Sequence, residues 1–356
     1  MDSVAALKAA ILKSSPDVIV PCDDGVVWQL HDLHRTCPEL RTTIEDSLGS
    51  ASEYEIIASR GSFLRVASEM GIRIPATQEI HSRDDLSAWN MHSGVLKIDG
   101  SWGGTGVEIV SSRDEMYAAY DRLTKPKSAG LSWKRLLVNR DPLAIWSWKK
   151  ASRPRTTMQQ FIHGRPANTM FASWKGEMLG LVTVEVLNSQ GATGSATVIQ
   201  IIENEEIREA ARKIARRLGL HGFHGLDFIL ERDTNHAYLL ELNPRCTQLG
   251  HLSLASQGDL AGIFASKLKG VALTPPSDVI RGEIIALFPQ AFLLNHKNPY
   301  LSLGHHDVPW EEPALIRELL EGPWPDRQWP ARLYHFVRPP RTVVDMPIQV
   351  AEESQH

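Results

Sequence analysis

Three cysteines in 356 residues, Cys22, Cys37 and Cys246, are odd in number and fall at neither paired-motif nor zinc-ligand spacings. That excludes a disulfide framework and a cysteine zinc site as the basis of the fold, and it suits a reduced, cytoplasmic protein. Cys246, beside Arg245, is expected as a packed thiol. No apolar run approaches the length of a membrane span, and Met1-Asp2-Ser3-Val4 lacks the basic stretch and apolar stretch of a secretory leader. An excess of charge is also missing. With 38 Lys and Arg against 42 Asp and Glu, the net charge of −4 argues against nucleic acid as the main partner. Nor does any Ser-His or Cys-His constellation stand out, so chemistry through a protein nucleophile is not expected.

The chain is long enough for two or three packed lobes. Residues 3–14 read as a short amphipathic helix. Asp17-Val18-Ile19-Val20-Pro21 reads as a buried strand, and a helix through Val26 to Leu33 would complete one βα unit. From Ser59 to Met70 the apolar positions form a helical stripe, with Gly71 where a C-terminal cap belongs. Gly94 to Ile98 and Val107 to Val110 are strand-like and flank a loop containing Gly103, Gly104 and Gly106. Glycines let backbone N–H groups approach an anion, and Lys97 on the preceding strand would supply a point charge to the same place.

Residues 124–157 break the pattern, mixing Trp133, Trp146 and Trp148 with Lys134, Arg135, Lys149, Lys150, Arg153 and Arg155. They read either as a lid with a basic inner face or as an amphipathic insertion that packs its tryptophans. Thr157 to Ile162 follows as a strand, and Gln160-Phe161-Ile162 offers an apolar edge with backbone polar groups. Further strands are expected at Phe171 to Trp174, Glu177 to Val186 and Thr197 to Ile202, then a helix from Glu205 to Leu218. After residue 245 a helical stretch is expected to about Leu268. His305, His306, Asp307, Glu311 and Glu312 read as a surface loop rather than a metal cluster, and the final dozen residues as a disordered tail.

The most informative stretch is Gly225 to Leu230, a polar turn at Asp233, Thr234 and Asn235, and Tyr238 to Arg245. A hairpin centred on Thr234 would set Asp227 opposite Glu241, about 5 Å apart on one face, with Asn243 on the same face. Two facing carboxylates repel and call for a cation or a shared proton. An all-oxygen set of Asp227, Glu241 and Asn243 suits a hard ion such as Mg²⁺ or Mn²⁺, and Arg245 could meet an anion that the metal does not neutralise. The alternative is a surface hairpin with solvated charges.

In this order and spacing, Arg60, Val95-Leu96-Lys97, the Gly103 to Gly106 loop, Gln160-Phe161-Ile162-His163-Gly164, Asp227 and Glu241-Leu242-Asn243-Pro244-Arg245 resemble the ATP-grasp superfamily over residues 55 to 270. The resemblance implies an α/β (α+β) fold in which two α/β lobes grip ATP. It implies a shortened leading βα segment over 1–55 and a first lobe over 56–156 that carries the insertion at 124–156. A second lobe with the metal site would span 157–270, and an extension 271–356. It further implies that Arg60 and Lys97 hold the nucleotide phosphates, that Gly103, Gly104 and Gly106 cover them, and that Gln160, Phe161 and Ile162 line the adenine. Asp227, Glu241 and Asn243 would hold Mg²⁺ (or Mn²⁺), and Arg245 and Lys97 would serve catalysis. Two departures are visible. Arg165-Pro166-Ala167 stands where the family usually has an acid for the ribose, and the usual first βα unit is missing, as in a shortened front or a sheet completed by a partner.

The implied activity is an ATP-dependent, ADP-forming ligase that activates a carboxylate as an acyl phosphate for attack by an amine. Its partners would be a small-molecule carboxylate and amine, with no nucleic acid or membrane; a homo-oligomer is left open. A carboxylase or carbamoyl-phosphate type reaction and a non-catalytic ATP-binding regulator are the rival readings.

Overall fold

The computed structural model describes residues 3–99, 106–125, 155–252, 259–271, 282–321, 327 and 345–347. Gly103, Gly104 and nearly all of the basic, tryptophan-bearing segment therefore lie outside the described residues, as does most of the expected tail.

The first 57 residues are helical: α1 (Ser3–Ser14), α2 (Asp24–Thr36), α3 (Arg41–Leu48) and α4 (Tyr54–Ile57). Asp23 caps α2 by accepting from the backbone N–H groups of Gly25 and Val26. The expected strand at Asp17 to Pro21 has no regular secondary structure and belongs to no sheet. Its backbone groups find other partners: the Ile19 N–H donates to Ser47 Oγ at 2.8 Å, and the Pro21 carbonyl accepts from the Cys246 N–H at 2.9 Å. No βα unit forms: Val18 packs against the core on one face of the large sheet without pairing to a strand, while its neighbour Ile19 turns to the helices. Ile19 and Val26 pack with Leu30, Leu33, Ile44 and Tyr54 in a small separate core. Gly49 ends α3 at φ +101° beside the turn at Gly219–Leu220, and a Cβ there would lie 2.3 Å from the Gly219 carbonyl oxygen. The helical segment is thus seated on the lobe that follows.

Helix α5 (Arg60–Glu69) starts where Ser59 accepts from the Ser62 N–H, and it ends before Gly71, whose φ of +73° closes the C-terminus. Next comes a four-stranded antiparallel sheet of β1 (Thr77–Ile80), β2 (Gly94–Ile98), β3 (Val107–Val110) and β4 (Thr156–Gln159), in the order β1-β4-β2-β3. Helix α6 (Arg113–Thr124) packs Met116 and Ala119 against Leu96, Val110 and Met158. Thr156 to Gln159, expected to open the second lobe, is paired inside this first sheet, and the chain leaves it at Gln160.

The larger sheet contains β5 (Gly164–Trp174), β6 (Glu177–Gln190), β7 (Ala196–Ile201), β8 (Gly222–Glu231), β9 (Ala237–Asn243), β10 (Ile284–Leu287) and β11 (His305–Asp307). They run in the order β11-β10-β7-β6-β5-β8-β9, and a short β12 (Asp345–Pro347) pairs with β6. The two-residue turn between β5 and β6 holds Lys175 and Gly176 at positive φ, the geometry that matches strand twist. One face is covered by α5 and by α7 (Glu205–Arg217), which bury Phe63, Leu64, Ile207 and Ile214 against Phe171, Leu226 and Leu239. The other packs on α8 (Leu260–Leu268). The helical stretch expected after residue 245 reduces to α8, since residues 244–252 are turns and bends. His305 to Asp307, expected as a loop, forms an edge strand parallel to β10, with His251 bonded to Asp307. No group of three or more His, Cys, Asp or Glu poised for a metal occurs among the described residues.

His224 lies buried in β8 and stacks on Phe171, with no partner for its Nδ1. Burial, aided by nearby His221, lowers its pKa to about 3, and burial lowers that of His31 to about 4. Between those values and about 6.5 the unfolded chain takes up the proton and the folded one does not. The destabilisation contributed by these two histidines is therefore small above pH ~6.5 and grows as the pH drops toward the folded-state values. In urea titrations His224→Phe is expected to remove about 2 kcal/mol of the difference in unfolding free energy between pH 7 and pH 5. An unchanged difference would refute the assignment.

Candidate active site

Asp227 and Glu241 are paired across β8 and β9, and Asn243 faces Gly225 two residues on. The register does not come from a turn centred on Thr234. Leu230 pairs with Ala237 and Phe228 with Leu239, so the turn centre lies half a residue earlier, and a bulge between Asp227 and Phe228 restores the pairing by leaving Leu240 unmatched. The bulge also decides the face. By plain alternation Glu241 would share the side of Leu239, which is buried against α5 and α7. With the extra residue, Leu239 and Leu242 both turn to that core, and Glu241 emerges beside Asp227.

The row continues into β5, where Asn168 is paired with Asp227 and donates its amide N–H to the carboxylate. The Asn243 amide donates to the other oxygen at 3.1 Å. Asn168 was not anticipated, because the register of β5 on β8 is a long-range property that neither strand encodes alone.

Arg60, at the first turn of α5, reaches the row from the side. Its Nη2 and Nε donate to Glu241 Oε2 at 2.7 and 3.2 Å, and its Nη1 donates to Asp99 Oδ1 at 3.1 Å. Asp99 follows Lys97 by two residues at the exit of β2 and is a second residue missed from sequence, although its spacing puts it on the face of Lys97. The Nε, Nη1 and Nη2 of Arg60 are thus all engaged by carboxylates, and the side chain positions Glu241. Lys97 is 6% exposed in the small sheet and senses both Glu241 and Asp227 across the gap between the sheets.

Burial and the nearby Glu241 carboxylate push the Asp227 carboxyl up to about 7. Burial also opposes ionisation of Glu241, but Arg60 and Lys97 outweigh it and hold that carboxyl below its ordinary range. Burial, joined by repulsion from Arg60, lowers Lys97 to about 8 against the pull of Glu241 and Asp227. A carboxyl that holds its proton beside an ionised neighbour marks a place where positive charge is wanted.

Arg245 is turned toward the helical segment. Its Nε donates to Asp24 Oδ2 at 2.9 Å, and its Nη2 lies 3.5 Å from Asn243 Oδ1. Gln160, Phe161 and Ile162 form the link from β4 to β5, with the Gln160 N–H donating to the Ala76 carbonyl at 2.8 Å and Ile162 buried. Gly106 is buried and accepts from the Ile98 N–H at 2.9 Å, closing the β2–β3 hairpin. Arg165, at the position where an acid was missed, pairs with Glu185 of the neighbouring strand at 2.8 Å. A cleft lined by Asp24, Trp28, His31, Arg60, Asp99 and Glu241 opens beside the row.

A family model described as an ATP-grasp domain matches residues 118–248. The carbamoyl phosphate synthase large chain of Thermomicrobium roseum is 26% identical over 197 residues, which is 53% of this chain and 16% of that protein. The biotin carboxylase domain of the Hydrogenobacter thermophilus 2-oxoglutarate carboxylase, solved with MgADP, ADP and bicarbonate, superimposes with a TM-score of 0.59 at 15% identity, covering 80% of this chain and 61% of that one. The N5-carboxyaminoimidazole synthetase of Staphylococcus aureus, solved with ADP, gives 0.57 at 14% identity, covering 80% and 68%. The chain spans less than two thirds of the carbamoyl phosphate synthase and of the biotin carboxylase domain that it resembles.

Replacing Arg60 by Met leaves Asp99 and Glu241 partly buried without their hydrogen-bonded counter-charge, with Lys97 alone still facing Glu241. It is expected to cost about 3 kcal/mol or more in urea unfolding at pH 7. Adding Glu241→Gln should return part of that loss, because the uncompensated carboxylate is then gone. Strictly additive losses would mean that the pair is not coupled.

Proposed function

We propose, from membership of the ATP-grasp superfamily to which this chain belongs, that it is an ATP-dependent, ADP-forming ligase that activates a carboxylate for attack by an amine. The observation that carries the reading is the row of Asn168, Asp227, Glu241 and Asn243 beside Arg60 and Lys97, where two sheets face each other.

The donor set fits a divalent hard ion. It holds two carboxylates, one of them pushed up to about 7 by burial and its ionised neighbour, and two carboxamides able to turn an oxygen inward. Asp227, Glu241 and Asn243 would hold Mg²⁺ or Mn²⁺, with Asn168 beside them; the ion would offset charge on the phosphates during transfer. Lys97 would lie against the phosphates and Arg60 would keep Glu241 ionised and aimed. Gln160 to Ile162 would meet the adenine, and Gly103 to Gly106 would cover the phosphates. With the γ-phosphoryl group passed to a carboxylate oxygen, ADP would leave and an amine would displace phosphate to give an amide. The chain's part in this is positioning and electrostatic stabilisation, which needs no protein nucleophile. Arg245, steered by Asp24, would face the anionic acyl phosphate.

A second reading, transfer of ATP-activated bicarbonate to an amine, uses the same nucleotide site. Its support is the likeness to a biotin carboxylase domain solved with bicarbonate and to carbamoyl phosphate synthase. Measuring ADP release with Mg-ATP against amino acids, dipeptides and bicarbonate, with products followed by mass spectrometry, separates the two. Release that needs an organic acid and an amine supports the first, release that needs bicarbonate the second, and binding without release sinks both.

Glu241→Gln is expected to lower turnover by roughly 100-fold or more. Asp227→Asn should weaken Mn²⁺ binding, read by electron paramagnetic resonance without any turnover, by about tenfold or more. Unchanged Mn²⁺ binding would remove Asp227 from the metal site.

A further inference from the structure

Two of the three cysteines, 224 positions apart in sequence, meet at the junction between the helical segment and the end of β9. The Cys246 N–H donates to the Pro21 carbonyl at 2.9 Å, which sets residues 22 and 246 side by side. Such a backbone bond holds opposed Cα atoms roughly 5 to 6 Å apart, here those of Pro21 and Cys246, and Cys22 is the residue next to Pro21, close to the Cα span of about 4.4–6.8 Å that a disulfide bridges. Each thiol rests on a nearby backbone carbonyl, Cys22 on Val20 at 3.9 Å and Cys246 on Thr247 at 3.6 Å, and burial together with the neighbouring Cys22 pushes the Cys246 thiol up to about 11. Cys22 is exposed to solvent, whereas Cys246 is half-buried and packs against the core under α8. Cys37 belongs to a different place: it is buried in the core of the helical segment and bonded by Lys8.

We propose that Cys22 and Cys246 form a reversible dithiol–disulfide pair, oxidised by a peroxide, that fastens the lead into α2 to the segment after β9. The exposed Cys22 sulfur takes one oxygen atom from the peroxide and becomes a sulfenic acid, releasing water when the oxidant is hydrogen peroxide. The Cys246 sulfur then attacks it, so that the S–S bond forms as the S–O bond breaks. The hydroxide leaves with the Cys246 proton as a second water. Two thiols and one peroxide thus give one disulfide and two waters, and a small dithiol returns two electrons and two protons in the reverse direction. The bond would lie next to the Asp24–Arg245 ion pair and fix by covalent means what that pair holds at 2.9 Å. This assignment stands apart from the ligase reading.

The test uses the full chain, reduced, then treated with one equivalent of hydrogen peroxide, alkylated and digested with trypsin for non-reducing mass spectrometry. Cleavage after Lys13, Arg35, Arg245 and Lys267 puts the two cysteines on separate peptides. The expected result is one cross-linked species from the monomer fraction, two hydrogens lighter than the sum of both peptides, that dithiothreitol splits. Cys22→Ser, at an exposed position, should abolish it. The oxidised wild-type protein should also melt several degrees higher than the reduced form, a gain absent in Cys22→Ser. Recovery of both peptides separately alkylated or sulfinylated, or of Cys22 joined to Cys22 of a second chain, would overturn the proposal.

Discussion

The guanidinium of Arg60 is the contact on which the arrangement of the site depends. It emerges from the first turn of a helix packed on the large sheet, bonds Glu241 on that sheet, and reaches across to Asp99 at the exit of the small one. Each partner would be costly to bury alone, since a carboxylate out of water without a counter-charge loses several kcal/mol. Joined, they fix where the two sheets face each other and keep Glu241 ionised beside a neighbour that is not. The geometry of Arg suits this, for its planar fork can hold two acids from two elements at once where a lysine offers a single point charge.

How much was legible beforehand divides along the range of the interactions. Helix α5 and its Ser59 and Gly71 ends, the β2–β3 pair and helix α7 follow from local periodicity and caps, and each stands where the spacing put it. The facing of Asp227 and Glu241 was also legible, yet by a symmetric turn that the chain does not use. The bulge at Leu240 is invisible to a period-two reading, because it answers to the need of Leu239 and Leu242 to share a core with α5 and α7. Asn168 and Asp24 are long-range arrivals, fixed by strand register and by the docking of a separate helical segment. No pattern in their own neighbourhoods marks them.

The first 57 residues show why a short apolar run is a weak strand signal. Val18 to Val20 has the composition of a buried strand, yet among the described residues it pairs with no strand: β9 is the edge of the large sheet, and the segment meets that stretch of chain only beyond the strand, at Cys246. Single hydrogen bonds to Ser47 and to Cys246 satisfy its polar groups instead. The segment acts as a clasp, seated at Gly49 against the turn before β8 and at Pro21 against the turn after β9. Both seats lie at the ends of the two strands that carry the acidic pair. The expected βα unit is thereby replaced by helices that deliver Asp24 to Arg245.

The electrostatics of the row give it a direction. Four side chains from three strands converge on one point, and its two acids are shifted in opposite directions although they are adjacent in the ladder. The asymmetry has a simple cause: Arg60 and Lys97 serve Glu241, while Asp227 has two amides that donate hydrogen bonds but carry no charge. Amides can turn and present oxygen where a guanidinium cannot, so in the function proposed above the cation would enter on the Asp227 side of the row. The Glu241 side already has its own. A site built only for stability would gain by replacing the buried acid at 227 with an apolar residue of similar volume, and keeping it makes sense where an ion repays the cost of its ionisation.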